Sequence, residues 1–152
     1  IRTLAADAAR CVLDVNLRPP YADAALLDAS LSLATVVKLN DDEVGTLADW
    51  LALPPAPPAF SAELARRYGV EVTCVTRGAN GAAAWADGAW HERPGVPTRV
   101  LDTVGAGDAF LAGFVAGWLA GRPWARVLDG ANRLGSLVAS HAGATPEYAP
   151  PD

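Results

Sequence analysis

Short runs of β-branched and apolar residues alternate along this chain with alanine- and leucine-rich stretches of helical length, and that alternation constrains the fold most. Cys11-Val12-Leu13-Asp14-Val15, Thr35-Val36-Val37-Lys38-Leu39 and the stretch from Val70 to Thr76 read as buried strands, each followed by polar or glycine-bearing residues. Helices are expected over Ala22 to Leu33, from the acidic cap Asn40-Asp41-Asp42-Glu43 to Leu51, and over Phe60 to Tyr68, where Gly69 stops the last. Ala5 to Arg10 reads as the end of a further helix. Pro19-Pro20 and the prolines between Leu53 and Ala59 exclude regular structure at those places. Gly81 to Ala86 and Ala89 to Glu92 meet at Asp87-Gly88, a hairpin signal. A helix from Asp108 to Ala120, a break at Gly121-Arg122-Pro123 and a long helix from Trp124 to His141 complete the chain. Strands and helices in this order predict an α/β fold of three layers, α/β/α, around a mainly parallel sheet.

Open parallel sheets bind ligands in the loops beyond the carboxyl ends of their strands. The polar residues of interest fall in those loops: Asp14, Asn16 and Arg18 after the first strand, Asn40 and Glu43 after the second, Thr76 and Gly78 after the third. The 152 residues fit one domain, residues 1–152. A net charge of -5 without any Lys/Arg cluster argues against a nucleic-acid partner. The longest apolar run, Ala109 to Ala120, is too short to span a bilayer, which argues against a membrane role. Cys11 and Cys74 sit inside apolar runs and read as small thiols in a reducing cytoplasm. The chain has no methionine and opens on Ile1-Arg2-Thr3-Leu4, so it is expected to be a piece of a longer protein.

Asp102-Thr103-Val104-Gly105-Ala106-Gly107-Asp108 carries the strongest chemical signal. Two glycines around a small residue let amides turn inward, and the following helix adds its positive end, which suits a phosphoryl group gathering charge. Asp108, at the head of that helix, can accept the proton of an attacking hydroxyl; the plainer reading is that it caps the helix. Asp102 lies across the loop, where it can help hold a cation. The string is neither a dinucleotide fingerprint, lacking a third glycine, nor a Walker loop, lacking Gly-Lys-Ser/Thr.

Extended through Ala109-Phe110 into Leu111-Ala112-Gly113-Phe114, this string resembles the C-terminal signature of the ribokinase-like (phosphofructokinase-B type) carbohydrate kinases. The resemblance implies Asp108 as catalytic base and Gly105, Ala106 and Gly107 as anion hole. It places Asp102 near a monovalent-cation site, with Thr103 and Ala142. Asn40-Asp41-Asp42-Glu43 resembles the family's Asn-x-x-Glu element, which governs magnesium and phosphates through water; alternatively Asn40 and Glu43 form a capping box. Thr73-Cys74-Val75-Thr76-Arg77-Gly78 resembles a segment lying against the nucleotide, making Thr76 and Gly78 contact candidates, or an ordinary turn. Asp14-Val15-Asn16-Leu17-Arg18 resembles a stretch of fructokinase-like and 2-keto-3-deoxygluconate-kinase-like members, in which a guanidinium can pair with a phosphate or acidic substrate group. The alternative is a surface loop tied by Asp–Arg pairing. Asn132 is an adenine-pocket candidate, whereas His141 reads as a polar residue of a last helical turn.

The implied activity is ATP-dependent phosphoryl transfer to a hydroxyl of a sugar or sugar acid, with Mg2+ and a monovalent cation, K+ being the candidate. The resemblance covers the C-terminal half of the family pattern. The half with most sugar contacts and the β-lid is expected to lie outside these residues, and the 152 residues alone are expected to be inactive. Expected partners are the sugar, the N-terminal half of the same enzyme and, as an open possibility, a second copy in a homodimer. A nucleoside or vitamin kinase of the same fold, or a non-catalytic nucleotide-binding or oligomerisation remnant, are the alternatives.

Overall fold

The structure, a computed structural model, describes residues 8–18 and 20–147. Strands β1 (Val12–Asp14), β2 (Val36–Asn40), β3 (Val72–Thr76), β4 (Ala82–Ala86) and β5 (Ala89–Arg93) lie side by side in chain order. Strands β1, β2 and β3 are parallel, with Asp14 opposite Lys38, Lys38 opposite Cys74, and Asn40 opposite Thr76. β4 and β5 form the expected hairpin. Asp87 and Gly88 both take positive φ, 52° and 74°, as a tight primed turn requires. The sheet is therefore mixed, with its parallel part first.

The helices are α1 (Ala24–Leu31), α2 (Asp41–Leu51), α3 (Pro57–Tyr68), α4 (Ala106–Leu119) and α5 (Trp124–Ala139). Helix α3 starts earlier than expected. Pro57 and Pro58, expected in the loop, occupy its first turn, where a missing N–H costs nothing. Residues 8–10 are not helical, and the rest of the helix expected over Ala5 to Arg10 lies outside the described residues.

Contacts divide the chain into two compact units. The first runs to Gly78 and takes in Ala83–His91; the second consists of Ala79–Ala82 and the chain from Glu92 onward. In the first, Leu27 and Leu31 of α1, Val44 and Leu47 of α2, and Phe60 and Leu64 of α3 bury one core with Val37, Leu39 and Val75 of the sheet. Val36, Lys38, Val72 and Cys74 alternate with these and are buried as well, so the central strands are covered on both faces. In the second unit α4 packs on α5. Small residues permit the approach: a Cβ on Gly113 would lie 3.3 Å from the Ala131 Cα, and one on Gly117 3.4 Å from the Val127 Cα. Phe110, Phe114 and Trp124 line up alongside, with ring centroids 6.2 Å apart in each successive pair.

Candidate active site

In the first unit the carboxyl ends of the parallel strands carry the residues expected there. Asp14 ends β1 and receives hydrogen bonds from Lys38 Nζ on both carboxylate oxygens, at 3.1 Å each. The Asp–Arg pairing considered from sequence is thus corrected: Arg18 Nη1 instead donates to the Leu17 carbonyl at 3.1 Å and its side chain is exposed. The reason is register, since Lys38 stands directly opposite Asp14 on the neighbouring strand. Lys38 was not singled out from sequence, although a lone cation inside a β-branched run was the available signal. Asn16 takes a positive φ of 40° and is exposed. A pocket of about 260 Å³ opens beside this loop, with Leu13, Asn16, Leu17, Arg18, Tyr21 and Leu26 among its walls.

Asn40 and Glu43 form a reciprocal capping box. Asn40 Oδ1 accepts the Glu43 amide at 2.8 Å and Glu43 Oε2 accepts the Asn40 amide at 2.9 Å. The other oxygen of Glu43 accepts the Leu17 amide at 2.8 Å, and the side chain is buried at 7% exposure. Each carboxylate oxygen of Glu43 therefore accepts one backbone amide. Among the described residues no three His, Cys, Asp or Glu side chains gather into a metal-binding group. Thr76 donates from Oγ1 to the Leu39 carbonyl at 3.4 Å, and Gly78, at φ 54°, opens a short 3-10 turn through Asn80.

In the second unit Gly105 is the N-cap of α4, at φ 78°, and Ala106, Gly107 and Asp108 are the first three helical residues. Asp108 is therefore not the cap; it sits third in the first turn, exposed, with no side-chain hydrogen bond among the described residues. The Ala106 amide donates to the Thr103 carbonyl at 3.2 Å, closing the turn, which corrects its place in the expected anion hole. The amides of Gly105, Gly107 and Asp108 meet no acceptor among the described residues. Sequence reasoning missed the Asp108 amide because it placed the start of the helix two residues late.

Asp102 stitches two loops. Its Oδ1 accepts the Val104 amide and its Oδ2 the Gly143 amide, each at 3.0 Å. Those amides, Val104 first, hold its carboxyl below the ordinary carboxylate value. Gly105 backs onto the same partner loop. A Cβ there would lie 2.6 Å from the Ala144 carbonyl oxygen, so both its positive φ and its neighbour demand glycine. The oxygens of Asp102, Thr103 and Ala142 are hard donors of the type a monovalent cation takes.

Asn132 is 7% exposed, and its carboxamide donates to the Pro94 carbonyl at 3.1 Å. It anchors the segment after β5. His141 Nδ1 lies 2.8 Å from the Leu137 carbonyl, the terminal-turn arrangement expected of it. Cys11 and Cys74 are free thiols, and burial pushes Cys74 well above the usual thiol range.

Similarity to known proteins runs through the whole chain. It is 53% identical over 55 residues to fructoselysine 6-kinase of Escherichia coli (strain K12), a match spanning 35% of this chain and 20% of that protein. The fold superposes on the ligand-free nucleoside kinase of Burkholderia thailandensis with a TM-score of 0.80 and 31% identity, covering 93% of this chain and 44% of that one. Against fructokinase with bound ATP from Xylella fastidiosa the TM-score is 0.78 at 26% identity, covering 94% and 49%. The chain thus spans less than half the length of these relatives, and the three-layer ribokinase-like fold is theirs as well as its own. The pattern of pfkB family carbohydrate kinases matches residues 2–150, and the chain belongs to that family.

Proposed function

We propose that residues 1–152 form the nucleotide-binding and catalytic portion of an ATP-dependent kinase that phosphorylates a hydroxyl of a sugar or sugar acid. The observation that carries this reading is Asp108: an exposed carboxylate in the first turn of α4 that, like the amides of Gly105, Gly107 and Asp108 beside it, has no hydrogen-bond partner among the described residues. An Oδ of Asp108 takes the proton of the acceptor hydroxyl as its oxygen attacks the γ-phosphorus. The bond from phosphorus to the β,γ-bridging oxygen breaks and ADP leaves. The amides of Gly105, Gly107 and Asp108, with the positive helix end, stabilise the charge on the transferring group. The family resemblance assigns Thr76 and Gly78 to the nucleotide and Asp14, Asn16 and Arg18 to the acceptor.

Magnesium arriving on the nucleotide would neutralise phosphate charge, and Glu43 would meet it only through water. A potassium ion would be held by Asp102, Thr103 and Ala142, supplying positive charge beside the glycine turn. No helix among the described residues is long and apolar enough to cross a membrane. The free thiols suit a reducing cytoplasm.

Asp108→Asn in the intact enzyme tests the assignment. It is expected to lower kcat by roughly a hundredfold to ten-thousandfold, the usual worth of a general base, while ATP affinity stays near wild type. Turnover at the wild-type rate would remove Asp108 from that role. A nucleoside acceptor is the second reading, favoured by the likeness to the Burkholderia enzyme. A panel of sugars, fructosamines and nucleosides, compared by kcat/KM, separates the two.

A further inference from the structure

Glu43 does more than a cap requires. A capping box uses one glutamate oxygen, and here Oε2 fills that role toward the Asn40 amide. The second oxygen reaches back 26 residues to the Leu17 amide at 2.8 Å. Leu17 stands between Asn16 and Arg18, the residues assigned above to the acceptor. The same turn is held on its other flank by β2, because Lys38 Nζ grips the Asp14 carboxylate and the Lys38 carbonyl accepts the Val15 amide at 3.0 Å. Within it Asn16 has a φ of 40°, a left-handed conformation costing roughly 1–2 kcal/mol for an L-residue unless its surroundings hold it.

We propose that Glu43 is a positioning residue for acceptor selection: its carboxylate holds the Leu17 amide and thereby sets where Asn16 and Arg18 present their side chains. This rests on the kinase reading above. A buried carboxylate, with two acceptor oxygens and no donor, is the group the position needs. Glutamine would turn an NH2 toward one of the two amides, leaving a buried donor facing a donor. Aspartate keeps the charge but is one methylene too short to reach Leu17 while still serving Asn40.

The test uses Glu43→Gln and Glu43→Asp in the intact enzyme, with two readouts. The first is hydrogen exchange at the Leu17 amide, which does not depend on turnover. Protection in wild type and its loss in both variants is expected; equal protection in all three overturns the latch. The second is steady-state kinetics. A rise in acceptor KM of roughly tenfold to a hundredfold, larger than any change in KM for ATP or in magnesium requirement, is expected for each variant. A raised magnesium requirement at constant acceptor KM would assign Glu43 to the metal instead. Lowered stability with both KM values unchanged would reduce it to a cap. A wild-type enzyme that phosphorylates neither sugars nor nucleosides would remove the kinase reading, and the exchange measurement would still decide whether Glu43 holds the loop.

Discussion

Asp102 accepts one backbone amide on each carboxylate oxygen, and both bonds are strongest while it is ionised. Its depressed pKa means that the tie between the 102–105 and 142–144 loops is complete above the ordinary carboxylate value. The tie is lost as pH falls through the lowered one. The Gly143 amide resonance should therefore titrate only at strongly acid pH, and Asp102→Asn should abolish that titration and raise its exchange rate. The Asp14–Lys38 pair makes a different demand. Its side chains are 21% and 11% exposed, so Lys38→Met leaves a half-buried carboxylate without a partner. A loss of stability somewhat under the ~3–5 kcal/mol of a fully buried broken pair is expected, read from urea unfolding. Removing both charges with Asp14→Asn and Lys38→Met should recover part of it. At this scale the chain pattern identified Asp14, Asn40, Glu43 and Asp102 as residues that matter. The mutual cap of Asn40 and Glu43 is a local motif and was legible, whereas Lys38 for Asp14, Leu17 for Glu43 and Gly143 for Asp102 are fixed by strand register or loop contact.

Helices α4 and α5 approach closely because glycines face them, and the spacing grades the cost of substitution. Gly117→Ala puts a Cβ at ordinary contact distance from Val127 and should change stability little. Gly117→Leu has no room and should cost about 1–3 kcal/mol by overpacking, measured by denaturant midpoint at constant slope. Gly105→Ala combines a positive φ with a backbone oxygen 2.6 Å from the new Cβ. It should displace the 142–144 loop and lower kcat together with stability. Most elements were legible from the sequence, since a period of two or 3.6 residues, a glycine stop and an Asp-Gly turn are local signals. The two errors of boundary share a cause. Prolines signal a break although a first turn tolerates Pro57 and Pro58, and the helix expected from Asp108 begins at Ala106 because Gly105 takes the cap position.

For the molecule as a whole, 93–94% of this chain superposes on less than half of each solved relative cited above. A kinase site orients two substrates and excludes water, and orientation alone supplies up to ~7–11 kcal/mol of barrier lowering. The 152 residues by themselves are accordingly expected to bind ATP measurably in calorimetry yet to phosphorylate sugars far below the rate of a complete enzyme. Wild-type turnover by this chain alone would contradict that. The order of strands and helices, the hairpin, the caps and the glycine turn were determined by the sequence itself, because each depends on residues within a turn or two of one another. The linkages of Glu43 to Leu17, Lys38 to Asp14 and Asp102 to Gly143 span 26, 24 and 41 residues, and tertiary structure alone decided them. A carboxylate announces that it needs donors, but which amides meet it depends on how strands register and loops close in space.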